Sequence, residues 1–172
     1  MASYTHGKNE IAALIKQRIR KGGSCLDVGA CDGVWFDLLG DHLRMDAVEA
    51  FEPNITAHKL RLRYNLVFAC DIRDFHLKWY NLIIFGDIIE HLPVADAQAL
   101  LGEAMLKCSD MVVAVPYLYP QGEIYGNPYE RHLQADLTED IVAERYPYLE
   151  PLLIFPGTYG YYHKRGGVLG GR

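Results

Sequence analysis

Apolar residues follow two rhythms along this chain. At the start they recur three and four apart, at Ile11, Leu14, Ile15 and Ile19, and the run closes on Lys21-Gly22-Gly23. A basic last turn followed by glycine ends helices, so this spacing predicts an N-terminal helix within residues 1–22. Short unbroken runs rich in Val and Ile come next, at Ser24–Val28, Ala47–Phe51, Leu66–Cys70, Asn81–Phe85 and Met111–Val115. Their lack of polar alternation predicts strands buried on both faces, as in a parallel sheet. Helical patterns separate them near Val34–Gly40, Thr56–Tyr64 and Val94–Lys107, and in the last Leu100, Leu101, Ala104 and Met105 form one apolar stripe.

After Val115 the pattern changes. Residues 116–136 are rich in Tyr, Pro and Gly and predict a loop, followed by a helix near Glu139–Arg145. Two more strands are expected at Leu149–Phe155 and Tyr159–Lys164, joined through Pro156-Gly157, a dipeptide that favours a hairpin turn. The expected fold is α/β: an open, mostly parallel sheet of about seven strands, helices on both faces, and an antiparallel C-terminal hairpin. The tail Gly166–Arg172 has too little apolar content to be expected to pack firmly.

Composition narrows the partners. The 172 residues suit a single domain with its own core, and 50% of them are hydrophobic against 23% charged, the profile of a soluble globular protein. A net charge of −5 argues against nucleic acid, whose phosphates need a basic face. No apolar run approaches the roughly 20 residues of a membrane span, so no membrane partner is expected. Met1–Arg20 lacks the apolar core of a signal peptide, and a cytoplasmic location is expected. Cys25, Cys31, Cys70 and Cys108 are scattered with no Cys-x-x-Cys spacing and no adjacent His cluster, so buried free thiols and no metal site are expected.

Chemistry concentrates where the first strand-like run ends. Asp27-Val28-Gly29-Ala30-Cys31-Asp32-Gly33 reads Asp-x-Gly-x-x-x-Gly and leads into a helical pattern. Glycines at a strand-to-helix turn let backbone approach a ligand closely. The second run ends in an acid, Val48-Glu49-Ala50-Phe51-Glu52, and a carboxylate about twenty residues beyond such a turn accepts ribose hydroxyls. Together they describe a nucleoside-binding crevice. Glu52 has a plainer reading as a helix N-terminal charge before Pro53. Asp87-x-x-Glu90 reads first as a capping box and second as catalytic.

In this order the segments resemble the class I, Rossmann-like S-adenosylmethionine-dependent methyltransferases, in particular the small-molecule branch, over nearly the whole chain. Leu26-Asp27-Val28-Gly29-Ala30-Cys31-Asp32-Gly33 is similar to that family's glycine motif, which contacts the amino-acid part of the cofactor, although Cys31 stands where the middle glycine is usual. The resemblance implies that Asp27, Gly29, Ala30 and Gly33 shape the cofactor site and that Glu52 holds the ribose. It also implies that Asp71 and Ile72 meet the adenine, and that Asp87 sits beside the cofactor after the fourth strand. Gly86-Asp87-Ile88-Ile89-Glu90-His91-Leu92 is similar to that branch's strand followed by Glu-His-Leu, and Arg131-His132-Leu133 to its loop-to-helix passage. No Asn/Asp-Pro-Pro-Tyr follows the fourth strand, which argues against methylation of DNA bases.

The implied function is transfer of a methyl group from S-adenosylmethionine to an oxygen or nitrogen of a small molecule. His132 is the expected general base for a hydroxyl acceptor, since a histidine pKa lies near neutrality, with His91 the second candidate. Tyr117, Tyr119, Tyr125 and Tyr129 are expected to form a lid within 116–136, or else to pack the loop onto the domain. Two alternatives stand beside this reading. One is a non-catalytic accessory protein of the same fold. The other is a nicotinamide-dependent oxidoreductase, for which the chain lacks Gly-x-Gly-x-x-Gly and a Tyr-x-x-x-Lys pair.

Overall fold

A computed structural model of the chain describes residues 6–124 and 126–170. Tyr125, and the ends of the expected N-terminal helix and C-terminal tail at 1–5 and 171–172, lie outside the described residues. Seven strands form one sheet: β1 (Ser24–Val28), β2 (Arg44–Val48), β3 (Val67–Phe68), β4 (Tyr80–Gly86), β5 (Cys108–Pro116), β6 (Leu149–Phe155) and β7 (Tyr159–Lys164). Their spatial order is β3-β2-β1-β4-β5-β7-β6. The first five are parallel; β7 runs antiparallel to β5 and to β6. The expected fold class holds.

Residues alternate between two buried layers along the central strands. Cys25, Leu82, Ile84, Val112 and Ala114 face a core built with α1 (Lys8–Arg18), α2 (Val34–Leu39), α3 (Glu52–Ala57) and α4 (Leu60–Arg63). Leu26, Ile83, Phe85, Met111 and Val113 face the other, built with α5 (Val94–Lys107) and α6 (Glu139–Arg145). Two covered faces explain the unbroken apolar runs. No helix among the described residues is long and apolar enough to cross a membrane.

The chain lays down β1, β2 and β3 outward in one direction, then returns to set β4 on the other side of β1. Such a reversal opens a crevice at the carboxyl ends of the strands, where ligands of open α/β sheets bind.

Several expected boundaries move. β2 starts at Arg44 opposite Ser24 and ends at Val48 opposite Val28, three residues before the expected Phe51. The expected helix Thr56–Tyr64 begins earlier and is split into α3 and α4 by Lys59, whose φ of 53° is left-handed. β3 has two residues only.

The tail is also a correction. Residues Val168–Gly170 form a 3₁₀ turn, and Leu169 is buried against the α1 side. The anchor is Asp110 at the start of β5, fully buried, which accepts hydrogen bonds from the backbone N–H of Leu169 at 2.6 Å, Met111 at 2.7 Å and Lys164 at 3.2 Å. One buried carboxylate therefore supplies what the tail's apolar content does not. Asp110→Ala leaves these donors unpaired and should destabilise the protein by about 3 kcal/mol, the upper range for buried unmade hydrogen bonds. Thermal melting measures that loss, and tryptic cleavage at Lys164 or Arg165 should appear in the variant under conditions that spare the wild type.

Candidate functional site

The end of β1 is a left-handed turn. Gly29 (φ 68°), Cys31 (φ 45°) and Gly33 (φ 76°) all have positive φ. Gly29 has no room for a side chain, since a Cβ there would lie 2.1 Å from Cδ1 of Ile88. At Gly33 a Cβ would meet the Arg63 guanidinium at 2.4 Å. That guanidinium donates to the carbonyls of Asp32 at 2.7 Å and Gly33 at 2.8 Å, and pairs with Asp37 at 2.5 Å. Arg63 thus ties α4 to the turn. Cys31 takes the conformation its expected glycine would have.

Behind the turn, Asp27 is buried in β1. Its Oδ2 accepts from the Tyr64 hydroxyl at 2.5 Å, and Oδ1 has no hydrogen-bond partner. Burial raises its pKa from 3.8 to about 7, against the opposing pull of the Tyr64 hydrogen bond and of Lys8.

At the end of β2 stands Glu49, not Glu52. Because β2 stops at Val48, Glu49 is the acid at the strand exit. It is buried, its Oε2 accepting from Cys31 N–H at 2.8 Å and its Oε1 from Phe51 N–H at 2.9 Å. Burial raises its pKa, and these two backbone donors oppose the rise. Glu52 is exposed in the first turn of α3 beside Pro53 and lies outside the cavity lining. The expected second strand ran three residues past Val48, which put Glu52 rather than Glu49 at its exit.

After β3, Asp71 caps a 3₁₀ turn over Ile72–Asp74. Its Oδ1 accepts from Arg73 Nε at 3.0 Å and its Oδ2 from Nη2 at 2.7 Å, and this pairing lowers the Asp71 pKa. Ile72 is buried beside it.

The exit of β4 is the most polar part. Asp87 (φ 59°) accepts from the Tyr159 hydroxyl and lies 3.9 Å from Nζ of the buried Lys8. The expected capping box does not form: no side chain caps the 3₁₀ turn Ile89–His91. Glu90 instead turns inward, 1% exposed, and neither carboxylate oxygen has a hydrogen-bond partner. Burial, then Asp87, raises its pKa well above the ordinary carboxyl range. Its backbone carbonyl accepts from the N–H groups of Leu133 at 2.7 Å and Gln134 at 3.0 Å. The buried Gln134 side chain donates to the carbonyls of Ile89 at 2.7 Å and Leu92 at 3.0 Å, which fastens the 116–136 loop to this turn.

That loop brings His132 to His91, with ring centroids 4.6 Å apart at 77°. His132 Nδ1 contacts the Tyr119 carbonyl at 2.6 Å and His91 Nδ1 the Arg131 carbonyl at 3.2 Å. Burial, with His132 close by, lowers the His91 pKa to about 4, so its ring is neutral at pH 7. Although the sequence spacing suggested no metal site, Glu90, His91 and His132 place one ligand-capable atom each within 4.8 Å of one another. Of the loop tyrosines, Tyr117 is buried and bonded to the Tyr162 hydroxyl, packing the loop onto the sheet, while Tyr119 and Tyr129 are partly exposed and line the cavity.

These strand ends enclose one cavity of about 740 Å³, within the range for small-molecule sites. Gly29, Asp71, Ile72, Asp87, His91 and His132 line it; Asp27, Ala30 and Gly33 shape the turn without lining it. Glu49, Glu90 and Tyr159 also line it; of these the sequence singled out only Glu90, as a capping or catalytic residue. Cys31 and Cys70 reach the cavity too, so only Cys25 and Cys108 are fully buried thiols.

No protein-family model matches the chain, and no curated protein matches it by sequence. Its architecture does have solved counterparts. It is similar to the DhpI complex with S-adenosylhomocysteine, at a TM-score of 0.67 and 17% identity over 92% of this chain and 84% of that one. It is similar to the N-methyltransferase NodS from Bradyrhizobium japonicum WM9, at 0.64 and 12% identity over 92% and 93%. A third is the Burkholderia thailandensis 1,6-didemethyltoxoflavin-N1-methyltransferase with bound 1,6-didemethyltoxoflavin and S-adenosylhomocysteine, at 0.66 and 18% identity over 94% and 79%. The fold is the Rossmann-like methyltransferase fold.

Asp27 makes stability depend on pH. Its folded-state pKa of about 7 lies above its ordinary 3.8, so the unfolded chain gives up this proton first. Stability from this group is full below about pH 4 and declines up to about pH 7, by on the order of 4 kcal/mol. Asp27→Asn should therefore gain on the wild type as pH rises through that window. Denaturant unfolding of both proteins at pH 5 and pH 8 measures the gap, and a gap that does not widen refutes the assignment.

Proposed function

We propose that this chain binds S-adenosylmethionine and transfers its methyl group to an oxygen or nitrogen of a small molecule. The observation that carries the reading is the pairing of Gly29, where nothing larger fits, with the Glu49 carboxylate across the ends of β1 and β2. A carboxylate offers about four acceptor sites; Glu49 gives two to backbone N–H groups and one to the Asn54 side chain, which leaves one for a ribose hydroxyl. Ile72 offers the adenine an apolar face, and Asp71, held rigid by Arg73, an acceptor for its amino group. The structural likeness to chains crystallised with S-adenosylhomocysteine supports the same assignment.

When bound, S-adenosylmethionine supplies a methyl carbon on a cationic sulfur; as an acceptor lone pair bonds that carbon, the carbon–sulfur pair returns to sulfur and the acceptor gives up its proton. The chain's part is to hold the acceptor in line, which supplies on the order of 7–11 kcal/mol in well-oriented reactions. His132 fits the proton-accepting role. Donating Nδ1–H to the Tyr119 carbonyl fixes its tautomer and leaves the Nε2 lone pair available. His91, neutral and in contact with it, shapes the same end of the cavity. The four free thiols fit a reducing, cytoplasmic setting.

Calorimetry with S-adenosylmethionine, S-adenosylhomocysteine and NAD tests the reading. Binding of the first two without NAD is expected, and binding of NAD alone overturns the proposal. Glu49→Ala should weaken cofactor binding by about 1.5–3 kcal/mol, the range for hydrogen bonds to a charged group, while Glu52→Ala leaves it within about twofold. Incubation with labelled S-adenosylmethionine and panels of phenols, sugars, amines and carboxylates then checks transfer. Tight cofactor binding with no labelled product from any panel would favour the accessory role.

A further inference from the structure

We propose that Glu90, His91 and His132 form a site for one divalent transition-metal ion at the acceptor end of the cavity. Three observations converge. The ligand-capable atoms of the three side chains lie within 4.8 Å of one another, and a small closure brings them to the roughly 4 Å that two donors at about 2.1 Å from a shared ion can span. Glu90 is 1% exposed, aimed into the cavity, and neither of its oxygens has a hydrogen-bond donor among the described residues. A buried carboxyl group with neither oxygen hydrogen-bonded is costly, and a cation is a partner that would satisfy it.

The third observation is how the histidines are held. Nδ1 of His91 contacts the Arg131 carbonyl and Nδ1 of His132 the Tyr119 carbonyl. Each carbonyl accepts Nδ1–H, which places the lone pair on Nε2, the arrangement that orients metal-ligating histidines. The supports are rigid: Gln134 and the N–H groups of residues 133 and 134 lock the loop carrying His132 to the turn carrying Glu90 and His91. Charge agrees with this. Asp87 and Glu130 stand close enough to act on Glu90 electrostatically, with Lys8 near Asp87 as a counter-cation.

Two neutral imidazoles and one carboxylate suit zinc, manganese or iron(II) and suit magnesium poorly, since magnesium prefers an all-oxygen shell. Three protein ligands leave coordination positions open toward the cavity, where an oxygen of the acceptor would bind. The ion would orient that oxygen and lower the pKa of a hydroxyl, and with the Nε2 lone pair of His132 on the ion the hydroxyl's proton would pass to solvent and not to that ring. This last role rests on the methyl-transfer reading; the site itself does not.

The test is calorimetric titration of the chelator-treated full chain at pH 7.5 with zinc, manganese and magnesium chlorides. One equivalent of zinc or manganese is expected, with magnesium far weaker. Glu90→Gln and His132→Ala should each weaken it at least ~10-fold, while His58→Ala, at an exposed histidine outside the cavity, leaves it unchanged. Cobalt(II) should show visible absorption bands in the wild type and lose them in both site variants. Thermal melts confirm folding. If Glu90→Gln fails to fold, His132→Ala on the partly exposed loop carries the comparison. No stoichiometric binding by the wild type, or binding equal in the site variants, overturns the proposal. S-adenosylmethionine titrated into the metal-free chain separates the two readings. Cofactor binding without metal binding defeats only the ion site, and the reverse defeats only the cofactor assignment.

Discussion

Both faces of the parallel strands are buried, and this restricts where polar chemistry can reside. A polar group in the middle of such a strand loses water on two sides, whereas one at a strand's carboxyl end opens onto the crevice left by the reversal between β1 and β4. Glu49, Asp71 and Asp87 all follow this rule, each at or just past a strand's last residues. Asp27 and Asp110 break it, and each is compensated locally: Asp27 by the Tyr64 hydroxyl, Asp110 by three backbone N–H groups.

The cavity has two halves with different supports. The half formed by β1, β2 and β3 is held by backbone and charge, through the Glu49 bonds across two strand exits and the Arg63 grip on the glycine turn. The half formed by β4, β5 and the 116–136 loop is held by side-chain amides and ring contacts centred on Gln134, His91 and His132. Here Tyr146 and Arg145 of the α6 region also donate to the Gln134 oxygen, so α6 steadies a site to which it contributes no lining residue.

Much of this was legible in the sequence, for identifiable reasons. β1, α5, α6, β6 and β7 are bounded as their patterns predict, because capping, glycine and proline signals flank them. Local pattern failed where long-range contacts decide. The end of β2 is set by pairing with β1, so the choice between Glu49 and Glu52 could not be read from the run itself. The spacing of Asp87 and Glu90 fits a capping box, but Tyr159 and Lys8 engage Asp87 from distant parts of the chain and leave Glu90 facing the cavity. The meeting of Glu90 with His132 depends on the course of a loop more than forty positions away in sequence, which no motif spacing encodes. The tail docks through Asp110, a residue whose type gave no hint of a receiving role.

Cys31 has a consequence for any reactive ligand held in this cavity. Burial, with Asp32 and Glu49 nearby, pushes its thiol up to about 11, and Cys70 is raised as well. The nucleophilic form of cysteine is the thiolate, which at neutral pH is then scarce at Cys31. Sulfur is otherwise an eager acceptor of alkyl groups, so on the proposed reading a thiol lining this cavity would be exposed to an alkylating sulfonium. Burial first, and the acids beside the glycine turn second, favour the protonated thiol of Cys31 and so act as chemical insulation for that side chain.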